Sequence, residues 1–206
     1  EHPGLLDPDE YDVAGAGTGI VDADEVLGAD RVRPGDVLIA MGSSGLHSNG
    51  YSLARHVLFG LSNWSLDRHV DELGRSIGEE LLEPTRIYSR DCLALTAALG
   101  SELHAFSHIT GGGLADNLAR VLPGDVTATV SRGTWQPQPI FGLIAELGGV
   151  ARAELERTFN QGIGMIAGVD PRAADSALAV RAAQAVPAWV GGEVEAGSAD
   201  ARVTLV

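Results

Sequence analysis

Val37-Leu38-Ile39-Ala40-Met41-Gly42-Ser43-Ser44-Gly45-Leu46-His47-Ser48-Asn49-Gly50-Tyr51 holds the most information in this 206-residue chain. Five apolar residues in a row, Val37 to Met41, predict a strand buried on both faces. A helix-like run, Ser52 to Leu58, follows at once. Between them lies a loop of small and polar residues, Gly42 to Tyr51, with three glycines. Such a loop leaves backbone N–H groups without partners where the positive end of a helix dipole adds to them. The stretch predicts an α/β arrangement and a cradle for an anion, with phosphate the first choice. The backbone amides and the hydroxyls of Ser43, Ser44 and Ser48 are its donors, and His47 and Asn49 orient the bound group. A plain helix cap explains Ser and Asn here too, but ten residues exceed what a cap requires.

The rest of the composition narrows the field. Net charge is −14, which repels nucleic acid and anionic membranes, so neither is expected as a partner. All 14 basic residues are arginine, and the absence of lysine excludes a Schiff base or a P-loop lysine within these residues. No run approaches the roughly 20 apolar residues that span a bilayer, and the first residues lack the basic and apolar regions of a signal peptide. The chain opens on Glu1, which reads as a fragment or processed product, and a reducing cytoplasm is the expected location. The lone Cys92 falls on an apolar helical stripe with Tyr88, Leu95 and Leu99, and reads as a structural thiol.

Outward from the loop, residues 1–11 read as an N-terminal arm or linker and residues 12–206 as one domain. Val13 to Val21 is expected to be a glycine-weakened strand. Its Gly15, Gly17 and Gly19 have the wrong spacing for a dinucleotide fingerprint. Pro34-Gly35-Asp36-Val37 and Pro123-Gly124-Asp125-Val126 each predict a tight turn feeding a strand. Apolar stripes predict helices at Tyr88–Leu99, Leu114–Leu122 and Ile140–Leu147, and a short one ending near Phe159. A strand from Ile163 to Val169, an alanine-rich helix from Pro171 to about Gln184, and closing strands at Trp189-Val190 and Val203–Val206 complete the order. Helices and strands mix without a strict βαβ rhythm. The expected fold is α/β of the α+β type, a mixed β-sheet with helices packed on it.

Two further glycine-rich joints carry polar groups. His108-Ile109-Thr110-Gly111-Gly112-Gly113-Leu114-Ala115-Asp116-Asn117 leads into a helix, either as an entry loop capped by Thr110 or as a second place where a ligand meets free amides. Phe159-Asn160-Gln161-Gly162-Ile163-Gly164-Met165 joins a helix to a strand, and Asn160 gains meaning only by facing one of the other loops. His47 and His108 sit where an imidazole can reach a ligand. His56 and His104 read as structural, His69 as surface, and Glu79-Glu80 as a charged helix face. No histidine pair with an acidic cluster has metal-ligand spacing, so no metal is expected on these residues.

Gly45-Leu46-His47-Ser48-Asn49-Gly50-Tyr51, Leu82-Glu83-Pro84-Thr85-Arg86-Ile87-Tyr88, His108-Ile109-Thr110-Gly111-Gly112-Gly113 and Phe159-Asn160-Gln161-Gly162-Ile163-Gly164-Met165, in that order, resemble the aminoimidazole ribonucleotide synthetase family, the phosphoribosylformylglycinamidine cyclo-ligases. The resemblance implies ATP-dependent ring closure of formylglycinamidine ribonucleotide in purine biosynthesis. It also implies that the chain is the C-terminal domain only. The part that holds most of the ATP and magnesium ligands and the main homodimer surface would then precede it. Carried onto these residues, the resemblance gives catalytic parts to His47 and His108. His47 would donate to the transferring phosphoryl group or shuttle a proton, and His108 and Thr110 would line the substrate side. Ser43, Ser44, Gly45, Ser48, Asn49, Thr110, Gly111, Gly112, Gly113 and Asn160 would bind substrate or phosphate. Gln161 departs from the family's usual methionine. A non-catalytic phosphometabolite-binding module, or another ATP-dependent member of the same fold, are the competing readings.

Overall fold

A computed structural model describes residues 15–182, 186–197 and 202–206. The expected arm at residues 1–11 lies outside them. Strand β1 (Val37–Gly42) is the centre of a six-stranded sheet. Its partners are β6 (Ile163–Val169) on one side and β7 (Ala188–Ala196) on the other, both antiparallel. Strand β4 (Leu103–His108) pairs antiparallel with β6, and β5 (Val126–Val130) with β7. At the far edge β8 (Val203–Leu205) joins β5 in parallel, which makes the sheet mixed as expected. A separate two-stranded ribbon is formed by β2 (His69–Val70) and β3 (Arg75–Ser76).

The apolar run of β1 is continuous because both of its faces are covered. Leu38 and Ala40 enter one cluster with Leu114, Leu118 and Ile166, while Ile39 and Met41 enter another with Leu95, Leu99 and Val169. Alternation along the strand sends neighbours to opposite faces. Each fully buried Leu, Ile or Met stabilises by about 1.5–3 kcal/mol relative to exposure. Helices α3 (Ser89–Leu99) and α7 (Ala174–Ala182) pack together over the second face. Helix α4 (Gly113–Ala119) covers the first and packs on α6 (Arg152–Thr158). Helix α5 (Pro139–Gly148) and α1 (Tyr51–Arg55), which continues as a π-helical turn to Leu61, build a third cluster around Phe141 and Phe159.

Both Pro-Gly-Asp turns feed strands as expected. In the first, Gly35 takes φ 96 and Asp36 Oδ2 accepts the Arg33 amide hydrogen at 2.9 Å. The same carboxylate meets His104 Nδ1 at 2.7 Å, and both side chains are buried, which gives His104 its structural part.

Two expectations need correction, and a third is met as far as the described residues reach. No strand forms over residues 15–21, and Val13 and Ala14 fall outside the described residues; a Cβ at Gly15, Gly17 or Gly19 would meet nothing within 4 Å, and Ile20 is 101% exposed. A strand needs an edge to pair with, and none of the described sheet reaches this segment. The alanine-rich helix opens with a 3-10 turn at Pro171–Ala173, and residues 183–185 of its expected span are not among those described. Glu79 and Glu80 do not share a solvated face. Helix α2 (Ile77–Leu81) is capped by Ser76 and Glu79 in a reciprocal capping box, while Glu80 turns inward to meet Arg75 at 2.6 Å.

Candidate functional site

Strands β1 and β4 run in the same direction with β6 antiparallel between them, so their C-terminal ends and the start of β6 share one edge. The loops 43–50, 109–112 and 159–162 therefore converge, which the sequence order alone does not reveal.

Asn160 and Ser43 lie beneath the first loop. The Ser43 amide donates to Gly162 O at 2.9 Å, and Asn160 Nδ2 donates to Gly45 O at 2.8 Å. Asn160 Oδ1 accepts from the Gly162 amide at 2.8 Å and faces Ser43 Oγ at 3.2 Å. Asn160 is wholly buried and its carboxamide is committed on both ends. Both residues were expected to touch a ligand; the geometry makes them the platform under the loop instead. Their cross-loop bonds meet the condition set on Asn160, that it face another loop.

His47 is the loop's internal pin. Its Nε2 accepts the Ser44 amide hydrogen at 2.9 Å and is 3.4 Å from the Arg86 amide nitrogen. Ser44 Oγ lies 2.9 Å from the same nitrogen while donating to Pro84 O at 2.7 Å. A ring nitrogen that accepts N–H bonds holds no proton, which assigns the hydrogen of the neutral ring to Nδ1. That Nδ1 is buried and has no hydrogen-bond partner among the described residues. Burial first, then the charges of His108 and Arg86, push the pKa of His47 down to about 4. The ring is thus neutral at neutral pH and 5% exposed, with the hydrogen on Nδ1 as the one it can donate. His47 and Ser48 take φ 54 and 59, left-handed conformations that side chains rarely adopt and that cluster at functional sites.

The second loop is held by the last residue of its string, Asn117, to which the sequence reading gave no role. Buried Asn117 donates from Nδ2 to the carbonyls of Thr110, Gly111 and Gly113 at 3.2, 3.3 and 2.6 Å, and its Oδ1 accepts from Thr110 Oγ1 at 3.0 Å. The hydroxyl of Thr110 thus serves the loop. Gly113 serves packing: a Cβ there would sit 1.7 Å from Glu156 O, where α4 crosses α6. Gly111 is exposed and Gly112 half-buried at the loop's outer turn, and His108 ends β4 facing solvent.

The two loops meet. Asn49 Nδ2 donates to His47 O at 2.9 Å, and its Oδ1 is 3.7 Å from where a Cβ of Gly111 would stand. Tyr88 lies between the two imidazoles, ring centres 6.1 Å from His47 and 6.4 Å from His108, and donates to Gly42 O at 2.8 Å. Exposed Ser48 approaches Thr85 Oγ1 at 3.4 Å. Among the described residues, the amides of Gly45, Leu46, His47 and Ser48 make no hydrogen bond, and neither do those of Thr110, Gly111 and Gly112.

Arg86 supplies the charge. It is half-buried, its positive field acts on both His47 and Tyr88, and it has no ion-pair partner among the described residues. It sits in the Leu82–Tyr88 string, whose threonine–arginine pair beside an anion loop was the available signal. Cys92 is half-buried, and burial together with Asp91 pushes its thiol up to about 11, so it stays protonated at neutral pH. No group of three or more His, Cys, Asp or Glu is arranged to hold a metal ion among the described residues. None of the described helices is long and apolar enough to cross a membrane. The arrangement is suited to holding an oxyanion between neutral N–H donors and one guanidinium.

Comparison with known proteins places this chain in a family. Residues 33–204 match the family described as AIR synthase related protein, C-terminal domain. A putative phosphoribosylformylglycinamidine cyclo-ligase of Streptomyces fradiae is 63% identical over 79% of this chain and 88% of its own length. The phosphoribosylformylglycinamidine cyclo-ligase of Anaeromyxobacter is 45% identical over all of this chain, which spans 59% of that protein. That of Symbiobacterium thermophilum is 46% identical over 95% of this chain, which spans 56% of it. The chain thus covers little more than half of the longer relatives. Among solved structures, the thiamine-monophosphate kinase of Stenotrophomonas maltophilia aligns with 90% of the chain and 54% of its own, at TM-score 0.61 and 17% identity. The hydrogenase maturation protein HypE of E. coli aligns at TM-score 0.55 and 20% identity, over 87% of this chain and 49% of its own. These two likenesses concern the fold. With the family match extending from the turn before β1 into β8, this chain belongs to the AIR synthase related proteins, as their C-terminal domain.

Proposed function

We propose that this domain supplies one wall of the active site for ATP-dependent closure of formylglycinamidine ribonucleotide to aminoimidazole ribonucleotide. In that reaction the formyl amide oxygen takes the γ-phosphoryl group of ATP and ADP leaves. The amidine nitrogen then attacks the activated carbon, the ring closes, and the oxygen departs as phosphate. Catalysis of such a transfer rests on bringing two phosphorylated molecules together and neutralising developing charge. The observation that carries the reading is the pair of loops with unpartnered amides, which approach each other at Asn49 and Gly111 and have Arg86 beside them.

In this reading Gly45, Ser48, Asn49, Gly111 and Gly112 contact phosphoryl oxygens, with Ser44 at the edge of the loop. His108 and Thr110 line the substrate side. His47 sets the loop's shape through Ser44 and Arg86, and Ser43, Asn160 and Gly113 support it from below. The described residues do not fit a magnesium site, and that ion is assigned to the part of the longer relatives that this chain does not span. The nucleotide's remaining contacts and a homodimer surface are assigned to the part of the longer relatives that this chain does not span, and the cytoplasm to its location.

The test uses the 206-residue chain and a full-length relative in parallel. The chain alone is expected to bind inorganic phosphate weakly and to release none from ATP. Turnover by the chain alone at the full-length rate would refute the shared-site reading. Loss of Arg86 that leaves phosphate binding unchanged would refute the placement of the anion.

A further inference from the structure

A carboxylate stands beside the loop that is read as an anion site. A Cβ on Gly45 would lie 3.9 Å from both Cβ and Cγ of Glu83, so the stem of that side chain packs on the loop next to its free amides. The backbone on either side of Glu83 is fixed. Tyr51 Oη donates to Leu81 O at 2.5 Å, and Ser44 Oγ donates to Pro84 O at 2.7 Å. Only the side chain is free to turn. A carboxylate is itself an oxyanion, and free amides that suit phosphate suit it equally.

Arg75 accounts for where that carboxylate goes. Its Nη1 donates to Glu83 Oε2 at 2.6 Å, and its Nε donates to Glu80 Oε2 at 2.7 Å, with Nη2 2.6 Å from the same oxygen. The Glu80 side chain is 6% exposed and anchors the guanidinium, whereas that of Glu83 is 32% exposed and is the movable partner. A mere clasp between α2 and the β2–β3 ribbon is not what the fold lacks. The amides of Ile77 and Gly78 already donate to Arg68 O and Leu66 O at 2.9 and 2.7 Å, and the capping box of Ser76 and Glu79 closes the helix start.

We propose that Arg75 is a positioning residue for the anion loop: by fixing the Glu83 carboxylate, it keeps an internal anion from competing with phosphate for the free amides. Glu80 holds Arg75 in place for that purpose. This role rests on the reading of loop 43–50 as an anion site, and it acts through Glu83 alone.

The probe is inorganic phosphate, titrated into the 206-residue chain by calorimetry, with circular dichroism on each variant. Glu83→Gln leaves the Arg75–Glu80 pair intact and removes the competing charge, so phosphate should bind about threefold tighter or more. Arg75→Gln alone would strand the buried Glu80 carboxylate and endanger the fold. Arg75→Gln is therefore combined with Glu80→Gln, which removes one charge of each sign and leaves the net charge unchanged. The freed Glu83 should then weaken phosphate about tenfold. Adding Glu83→Gln to that pair should return the affinity at least to the wild-type level. A merely structural Arg75 would leave the triple variant as weak as the double one, and that result overturns the proposal. Unchanged affinity in Glu83→Gln, or in the double variant, overturns it as well while leaving the anion site standing. No phosphate binding by the wild-type chain or by any variant overturns the anion site, and this role with it.

Discussion

Replacing His47 with asparagine should flatten the acid limb of the protein's stability. The ring is neutral in the fold, with its pKa pushed from 6.5 to about 4 by burial, His108 and Arg86. An unfolded chain takes a proton on this ring near pH 6.5, whereas the folded chain does not until about pH 4. Between those values the unfolded state binds more protons, so stability rises with pH. The contribution is complete above the unfolded value and is lost progressively as pH falls toward the folded one. From pH 7 to pH 5 the loss is on the order of 1–2 kcal/mol. Asparagine suits the left-handed backbone at this position, φ 54, and has no proton to gain. Carboxylates held low by their partners, Glu79, Glu154 and Asp170, act below this window and are common to both proteins, as are the other histidines. The assay is urea unfolding of wild type and His47→Asn at pH 5, 6 and 7. The wild type should lose about 1–2 kcal/mol more than the variant over that range. Parallel pH profiles would refute the buried, neutral imidazole and restore a protonatable His47 at the loop.

Arg86→Ala should weaken binding of inorganic phosphate about tenfold at low salt, by calorimetry, with thermal stability nearly unchanged, since its guanidinium has no described ion pair to lose. Gly164→Ala places a Cβ 2.0 Å from Tyr88 Oη and 2.8 Å from His47 Cε1, so unfolding free energy should fall by about 1–3 kcal/mol. Adding Tyr88→Phe should recover part of that loss, and strict additivity of the two changes would deny the clash. Asp91→Asn strands the buried Arg181 guanidinium, 2.5 Å from it, and should cost about 3–5 kcal/mol, whereas Asp91→Leu with Arg181→Met should lie closer to wild type in the same denaturation assay.

What was legible in the sequence was whatever depends on local pattern. Apolar runs placed β1 and β6 because both strands are buried on two faces, and Pro-Gly-Asp announced two strand entries. The stripe Tyr88, Cys92, Leu95 and Leu99 placed α3 because it packs on one side only. The glycine segment at 15–21 misled, since small residues permit a strand but only a neighbouring edge creates one. At the site, residue types pointed to an anion, and the loops carrying them do converge. The division of labour among the polar side chains was not visible. Asn160, Ser43 and Thr110 look like ligand groups in one dimension, yet each already bonds within the fold, Asn160 and Ser43 across loops and Thr110 to Asn117 on α4. Asn117 and Arg86 were hidden for the opposite reason: each sits in an ordinary setting, and only the tertiary path brings it to the loops.

An acidic protein that binds phosphate must supply attraction locally, because a field of −14 opposes every approaching anion. One arginine at the loop offsets little of that at long range, since salt screens exposed charges beyond about 10 Å. The attraction has to be short-ranged, and unpartnered amides meet that condition because their dipoles act only at contact. Keeping seven such amides free in a folded chain requires that nearby acceptors be taken by something else. The side chains that seemed dispensable do this: Asn160 fills Gly45 O, Asn117 fills the carbonyls of Thr110, Gly111 and Gly113, and Asn49 fills His47 O. The loops' own carbonyls are thereby removed from competition for the amides. In the proposed reading, three buried or half-buried asparagines around two glycine-rich turns are the condition for anion binding, and His47 completes it by holding Ser44 with a nitrogen that stays unprotonated at neutral pH.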